Sequence, residues 1–162
     1  MFTRRLMLAA LPGLSLCTLA RPAAAHSYTL GDIEIGHPWS RAAPANITGA
    51  GFMTLRNTGT TPDRLVGGSA DIARAVEIHT HIHEGGVMRM RPVEGIEIAP
   101  GAEVQLAPGG YHLMLIGLKQ ALRKDDRVPV TLVFERAGRI TVELAVAAAG
   151  ASPGRSGGGH QH

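Results

Sequence analysis

Two histidine–methionine pairs in the middle of this 162-residue chain could do chemistry together: His79 with Met90, and His112 with Met114. Thioether sulfur is a soft, uncharged donor that prefers Cu(I), and imidazole suits copper in either oxidation state. Zinc draws on thiolate or carboxylate beside histidine, so a methionine-rich set points away from it. Neutral donors also have an advantage outside the cytoplasm, where a thiolate is exposed to oxidation. Two further imidazoles, His81 and His83, follow His79 at strand spacing, and His160 and His162 end the chain. Nitrogen donors favour Cu(II), so these four are candidates for that ion.

The donors must be carried on elements that bring them together, and alternation supplies the sorting. Along 75–83 one strand face carries Val76, Ile78, Thr80 and Ile82, and the other carries Glu77, His79, His81 and His83. Gly85-Gly86 then folds the chain into 87–93, where Met88, Met90 and Pro92 share a face. A tight loop sets His83 opposite Met88 and His81 opposite Met90, with His79 one diagonal step from Met90. A longer loop shifts these pairings. In a third strand His112 and Met114 again share a face, so donors from three strands can converge. Further strands are expected at 32–35, 51–57, 64–70, 103–106, 112–117, 128–135 and 140–146, separated by Gly, Pro and Asn turn signals. A helical turn is expected near 118–122. The fold class is therefore all-β, a sandwich or small barrel. Met53 is expected as core filler, Trp39 as a core residue, and His37 as structural.

The ends of the chain have a different character. Residues 1–25 read as a signal peptide: Arg4 and Arg5, an apolar run of 15 residues from 6 to 20, then Ala23-Ala24-Ala25 at the cleavage point. The run is short for a membrane span of about 20 residues, so no span is expected after cleavage. Thr3-Arg4-Arg5-Leu6-Met7 also has the look of a twin-arginine leader. Residues 26–147 form the expected domain. Residues 148–162, ending in His160-Gln161-His162, are too poor in apolar side chains to order themselves.

Removing the leader changes two inferences. The excess of basic residues goes with Arg4, Arg5 and Arg21, leaving 13 basic against 13 acidic side chains. The high pI thus argues for neither nucleic acid nor an anionic membrane. The single cysteine, Cys17, goes as well, so the mature chain has no disulfide, no thiolate ligand and no cysteine nucleophile. Leu14-Ser15-Leu16 before Cys17 puts a bulky residue where a lipid-anchor signal wants a small one.

With these residues in view, the chain resembles the periplasmic copper chaperones called PCu(A)C. The resemblance rests on His79, ten residues, Met90, twenty-one residues, then His112-Leu113-Met114. The flanks match too: His37-Pro38-Trp39-Ser40-Arg41, Gly51-Phe52-Met53, Gly85-Gly86-Val87-Met88-Arg89-Met90, and Pro108-Gly109-Gly110-Tyr111. It covers roughly 28–147. The resemblance implies a cupredoxin-like Greek-key β-barrel with an exposed Cu(I) site whose ligands carry over as His79, Met90, His112 and Met114. It also implies a periplasmic carrier handing copper to an acceptor, such as the binuclear copper centre of cytochrome c oxidase or another copper chaperone. One departure is that many members place a methionine close after the first histidine, where this chain has Thr80-His81-Ile82-His83.

Other functions find less support. A blue-copper electron carrier needs a cysteine ligand that the mature chain lacks. No Ser-His-Asp pattern or phosphate-cradling glycine loop is present, so no enzyme is expected. A copper enzyme built on His26 as a free N-terminus would need further histidines around the same ion. A copper or zinc buffer without a dedicated acceptor is the remaining alternative.

Overall fold

The computed structural model describes residues 27–152. Eleven strands follow in chain order: β1 (Ser27–Leu30), β2 (Ile33–Arg41), β3 (Gly49–Asn57), β4 (Asp63–Ser69), β5 (Ala73–Glu84), β6 (Val87–Pro92), β7 (Ile96–Ile98), β8 (Glu103–Leu106), β9 (His112–Leu118), β10 (Arg127–Phe134) and β11 (Gly138–Ala147). Seven of them close on themselves in the order β2–β11–β10–β4–β5–β9–β3, with β3 pairing back onto β2. The closure leaves the barrel proper without a free edge. β1, β6, β7 and β8 are short additions to β2, β5, β4 and β3. All pairings are antiparallel except β11 with β2.

Period-two alternation builds this barrel. β10 buries Val128, Val130, Leu132 and Phe134 and turns the residues between them outward. β11 does the same with Val142, Leu144 and Val146. With Ile35, Leu55, Leu65, Ile78, Leu113 and Leu115 these side chains fill the interior as one apolar cluster. Met53 lies in it at 2% exposure, the core role expected of it. Gly51 faces inward too, where a Cβ would stand 3.1 Å from Leu144 and 3.5 Å from Leu113.

The structure departs from the sequence expectations in five places. β1 and β7 were not anticipated, and β2 runs six residues further than the 32–35 strand, through Pro38 to Arg41. It does so by breaking register between Gly36 and Trp39, where His37 takes a positive φ of 48°. No helical turn forms near 118–122; Leu122 instead bridges to Ala43, with Leu118 and Leu122 filling one end of the core. Trp39 is not in the core. It packs on the outside of the barrel against Phe52, ring centroids 4.6 Å apart. Among the described residues no helix is long and apolar enough to cross a membrane. The leader at 1–25, His26, and the tail histidines His160 and His162 lie outside the described residues.

Candidate metal centre

β5 is the spine of the site, because it pairs with β9 on one edge and β6 on the other. Directly opposed residues of an antiparallel pair project from the same face. Toward β9, His79 opposes His112 and Glu77 opposes Met114. Toward β6, His83 opposes Met88, His81 opposes Met90, and His79 opposes Pro92. This is the register expected from a tight Gly85-Gly86 loop, and Gly85 (φ 57°) and Gly86 (φ 80°) make it. Every donor therefore leaves the sheet on its outer face, since Ile78 and Leu113, the neighbours in chain of His79 and His112, point into the core. Ala50 of β3 opposes Met114 from the far side, and its short side chain leaves the thioether room.

The strands place the candidate ligands unequally. His112 is buried at 3% exposure, whereas Met90 is 45% exposed and Met88 50%. His79, His81 and Met114 are intermediate, and His83 is exposed. His112 is covered partly by an aromatic shelf, with Phe52 6.4 Å away and Trp39 behind it. Arg41 lies over the Phe52 ring at 5.7 Å. The His81 ring stands 5.4 Å from that of His112 and the His79 ring 6.1 Å from it. His81 is thus closer to His112 than His79 is, and directly across from Met90.

Hydrogen bonds select the free nitrogens. The Nδ1–H of His112 donates to the Gly110 carbonyl at 2.9 Å, which leaves Nε2 carrying the lone pair. The Nε2–H of His79 donates to the Glu77 carboxylate at 2.8 Å. That leaves Nδ1 of His79 as the acceptor nitrogen, and it is buried without a hydrogen-bond partner. Nδ1 of His81 is buried and partnerless as well. Most buried polar atoms in proteins are paired, so two unpartnered imidazole nitrogens on one face fit a metal ion as their partner. Burial pushes the His112 pKa below 6.5; the Gly110 hydrogen bond opposes this, and the nearby His81 and His79 add to it. The effect keeps His112 neutral, the form a metal ligand must take.

The arrangement fits a metal ion with mixed donors. Among the described residues no group of three His, Cys, Asp or Glu side chains already converges on one point. A closed shell here needs the thioethers of Met90 and Met114 or a rotation of the imidazoles. Sequence reasoning had Glu77 on the right face without a role, and it missed the Gly110 carbonyl and the Trp39–Phe52 shelf. The spacing Glu77-x-His79 is the signal for the first, because residues two apart on a strand share a face.

Residues 33–146 match the LpqE-like family, described as "Putative lipoprotein LpqE-like". A protein of Leifsonia xyli subsp. xyli named "Putative lipoprotein Lxx21020" is 33% identical over 129 residues, 78% of this chain and 77% of that one. Among solved structures, the copper-bound PCuAC domain from PmoF2 superposes with a TM-score of 0.64 at 33% identity, covering 76% of this chain and 98% of that domain. The solution structure of the Cu(I) form of DR1885 from Deinococcus radiodurans gives a TM-score of 0.54 at 30% identity, covering 77% and 83%. These likenesses agree with the all-β, cupredoxin-like barrel expected from the sequence.

Proposed function

Because this chain belongs to the LpqE-like family of PCu(A)C-type domains, we propose that it is a copper carrier, binding Cu(I) through His79, Met90, His112 and Met114 and releasing it to an acceptor. The observation that carries this reading is one outer face on three adjacent strands. On it a buried neutral His112, a His79 held by Glu77, and two thioethers lie within neighbouring ladder positions. The copper-bound state of relatives at 30% identity or more supports the choice of ion.

Each residue has a part in the hand-off. The Gly110 carbonyl and the Glu77 carboxylate orient the two imidazoles and raise their basicity, as outer partners of metal-bound histidines do. The thioethers bind Cu(I) without releasing a proton, so loading and unloading need no base at those positions. Met90 sits on the exposed hairpin, where an incoming ligand can displace it first, while buried His112 holds the ion to the last. This is ligand exchange without redox chemistry or turnover, and we read the chain as a carrier, not an enzyme.

The leader-like segment at 1–25 supports a periplasmic site of action, and "lipoprotein" in the relatives' names supports export. An acceptor with thiolate donors, such as the binuclear copper centre of cytochrome c oxidase, suits a weakly held thioether-bound ion. The test is anaerobic Cu(I) titration with X-ray absorption. A shell of two sulfur and two nitrogen scatterers is expected, together with loss of binding in a Met90→Ala/Met114→Ala variant. Unchanged Cu(I) affinity in that variant would sink the site. Transfer to an oxidase copper-site domain separates a carrier from a buffer, which would keep its metal.

A further inference from the structure

We propose that His81 is itself a copper ligand, the third imidazole that lets this face hold Cu(II) as well as Cu(I). The inference rests on the copper reading above and adds to it a residue outside the His79–Met90–His112–Met114 set. Three observations single His81 out. Its Nδ1 is buried and has no hydrogen-bond partner. Its ring is 5.4 Å from that of buried His112, nearer than the 6.1 Å of His79. It also directly opposes Met90, whereas His79 opposes Pro92.

The spacing suits shared ligation. Nitrogen-to-metal bonds of about 2.0–2.1 Å set the ring centres of two imidazoles on one ion roughly 5–6 Å apart. The His81–His112 separation lies in that range as it stands, the His79–His112 separation falls just outside it, and rotation of the imidazoles closes the three onto one ion. His79 and His81 are two residues apart on one strand face, and His79 directly opposes His112 across the ladder, so rotation about their side-chain bonds is the only movement needed to bring all three to one ion. His83 lacks these features: it is exposed, opposes exposed Met88, and stands one further step out along the hairpin.

Two coordination shells then overlap at one place. Cu(I) takes the thioethers with His79 and His112. Cu(II), which favours nitrogen donors in a tetragonal arrangement, takes the three imidazoles, with a thioether or water completing the shell. No electron transfer is implied; each oxidation state is bound as it arrives.

The experiment uses the full chain carrying His160→Ala and His162→Ala, so that tail imidazoles do not contribute. In that parent, pulsed electron paramagnetic resonance counts histidine nitrogens on bound Cu(II), and chelator competition measures both affinities. We expect three coordinated imidazoles in the parent and two in His81→Ala. Cu(II) affinity should fall at least roughly tenfold, with Cu(I) affinity nearly unchanged. His83→Ala should match the parent. A His81→Gln variant, polar and of similar reach, guards against misfolding and should lose Cu(II) to the same degree. Unaltered Cu(II) spectra and affinity in either His81 variant overturn the inference. So does a parent that binds Cu(I) but no Cu(II), which leaves the carrier reading standing. A parent that binds neither ion removes both.

Discussion

Glu77 and Gly110 decide which nitrogen each flanking histidine offers, and that choice has measurable consequences. The Glu77 side chain is 47% accessible, so its hydrogen bond with His79 contributes little to folding. Its effect belongs to the metal. Glu77→Ala is expected to lower Cu(I) affinity by about tenfold or more, the usual loss when a histidine ligand is deprived of its outer partner. The melting temperature of the metal-free protein should barely move. His112 behaves in the opposite way. Burial depresses its pKa in the folded state below 6.5, so on acidification the unfolded chain takes up a proton before the folded one does. Its contribution to stability is complete above the unfolded value and is lost as pH falls through 6.5 toward the folded value. Thermal melts of the metal-free protein from about pH 7 to about pH 5 should therefore show falling stability, with a shallower slope in His112→Gln.

The β5–β6 hairpin turns a strand face into a binding face. β6 has no buried residue, so it is held by its ladder to β5 and by its turn, not by the core. Both turn glycines are at positive φ, the geometry of a two-residue loop whose twist matches the strands. A Cβ in that region costs roughly 1–2 kcal/mol per residue. A Gly85→Val/Gly86→Val variant is accordingly expected to fray β6, displace Met90 and weaken Cu(I) binding, while the barrel melts much as before. Hydrogen exchange should show the loss confined to amides of β6 and the outer end of β5. This element was legible in the sequence to the residue pair, because alternation and a Gly-Gly loop leave one sensible register. β1 and β7 were not: β1 has no buried residue to mark a core face, and the three residues of β7 carry too little alternation to read. Nor was the outward turn of Trp39, which depends on a register break at Gly36–Trp39 made by a non-glycine residue at positive φ. The four donors could be put on one face from spacing alone. That His81 lies nearer His112 than His79 does could not, because it depends on ring positions set by Glu77.

At the scale of the molecule, the barrel separates stability from binding across the thickness of one sheet. Met114 and Leu115 are consecutive on β9, yet Leu115 is fully buried in the core while Met114 stands outside beside Ala50. Leu115→Ala removes packed methyl groups from a closed interior and should cost roughly 2–5 kcal/mol. Met114→Ala removes a half-covered side chain from the outer face and should cost much less. Their effects on copper should be reversed. In Leu115→Ala the outer ladder is unchanged wherever the chain is folded, so Cu(I) stoichiometry should persist and the added metal should raise the melting temperature, as binding to the native state alone requires. Met114→Ala should melt close to the parent without metal and gain little from Cu(I). Melting curves of both variants with and without Cu(I) check this crossover. If Leu115→Ala lost copper while still folded, site and core would be one cooperative unit. If instead the pattern holds, the closed barrel is a rigid support on which the donor face can vary, and substitutions such as those at His81 and His83 alter the metal's surroundings with little effect on the fold.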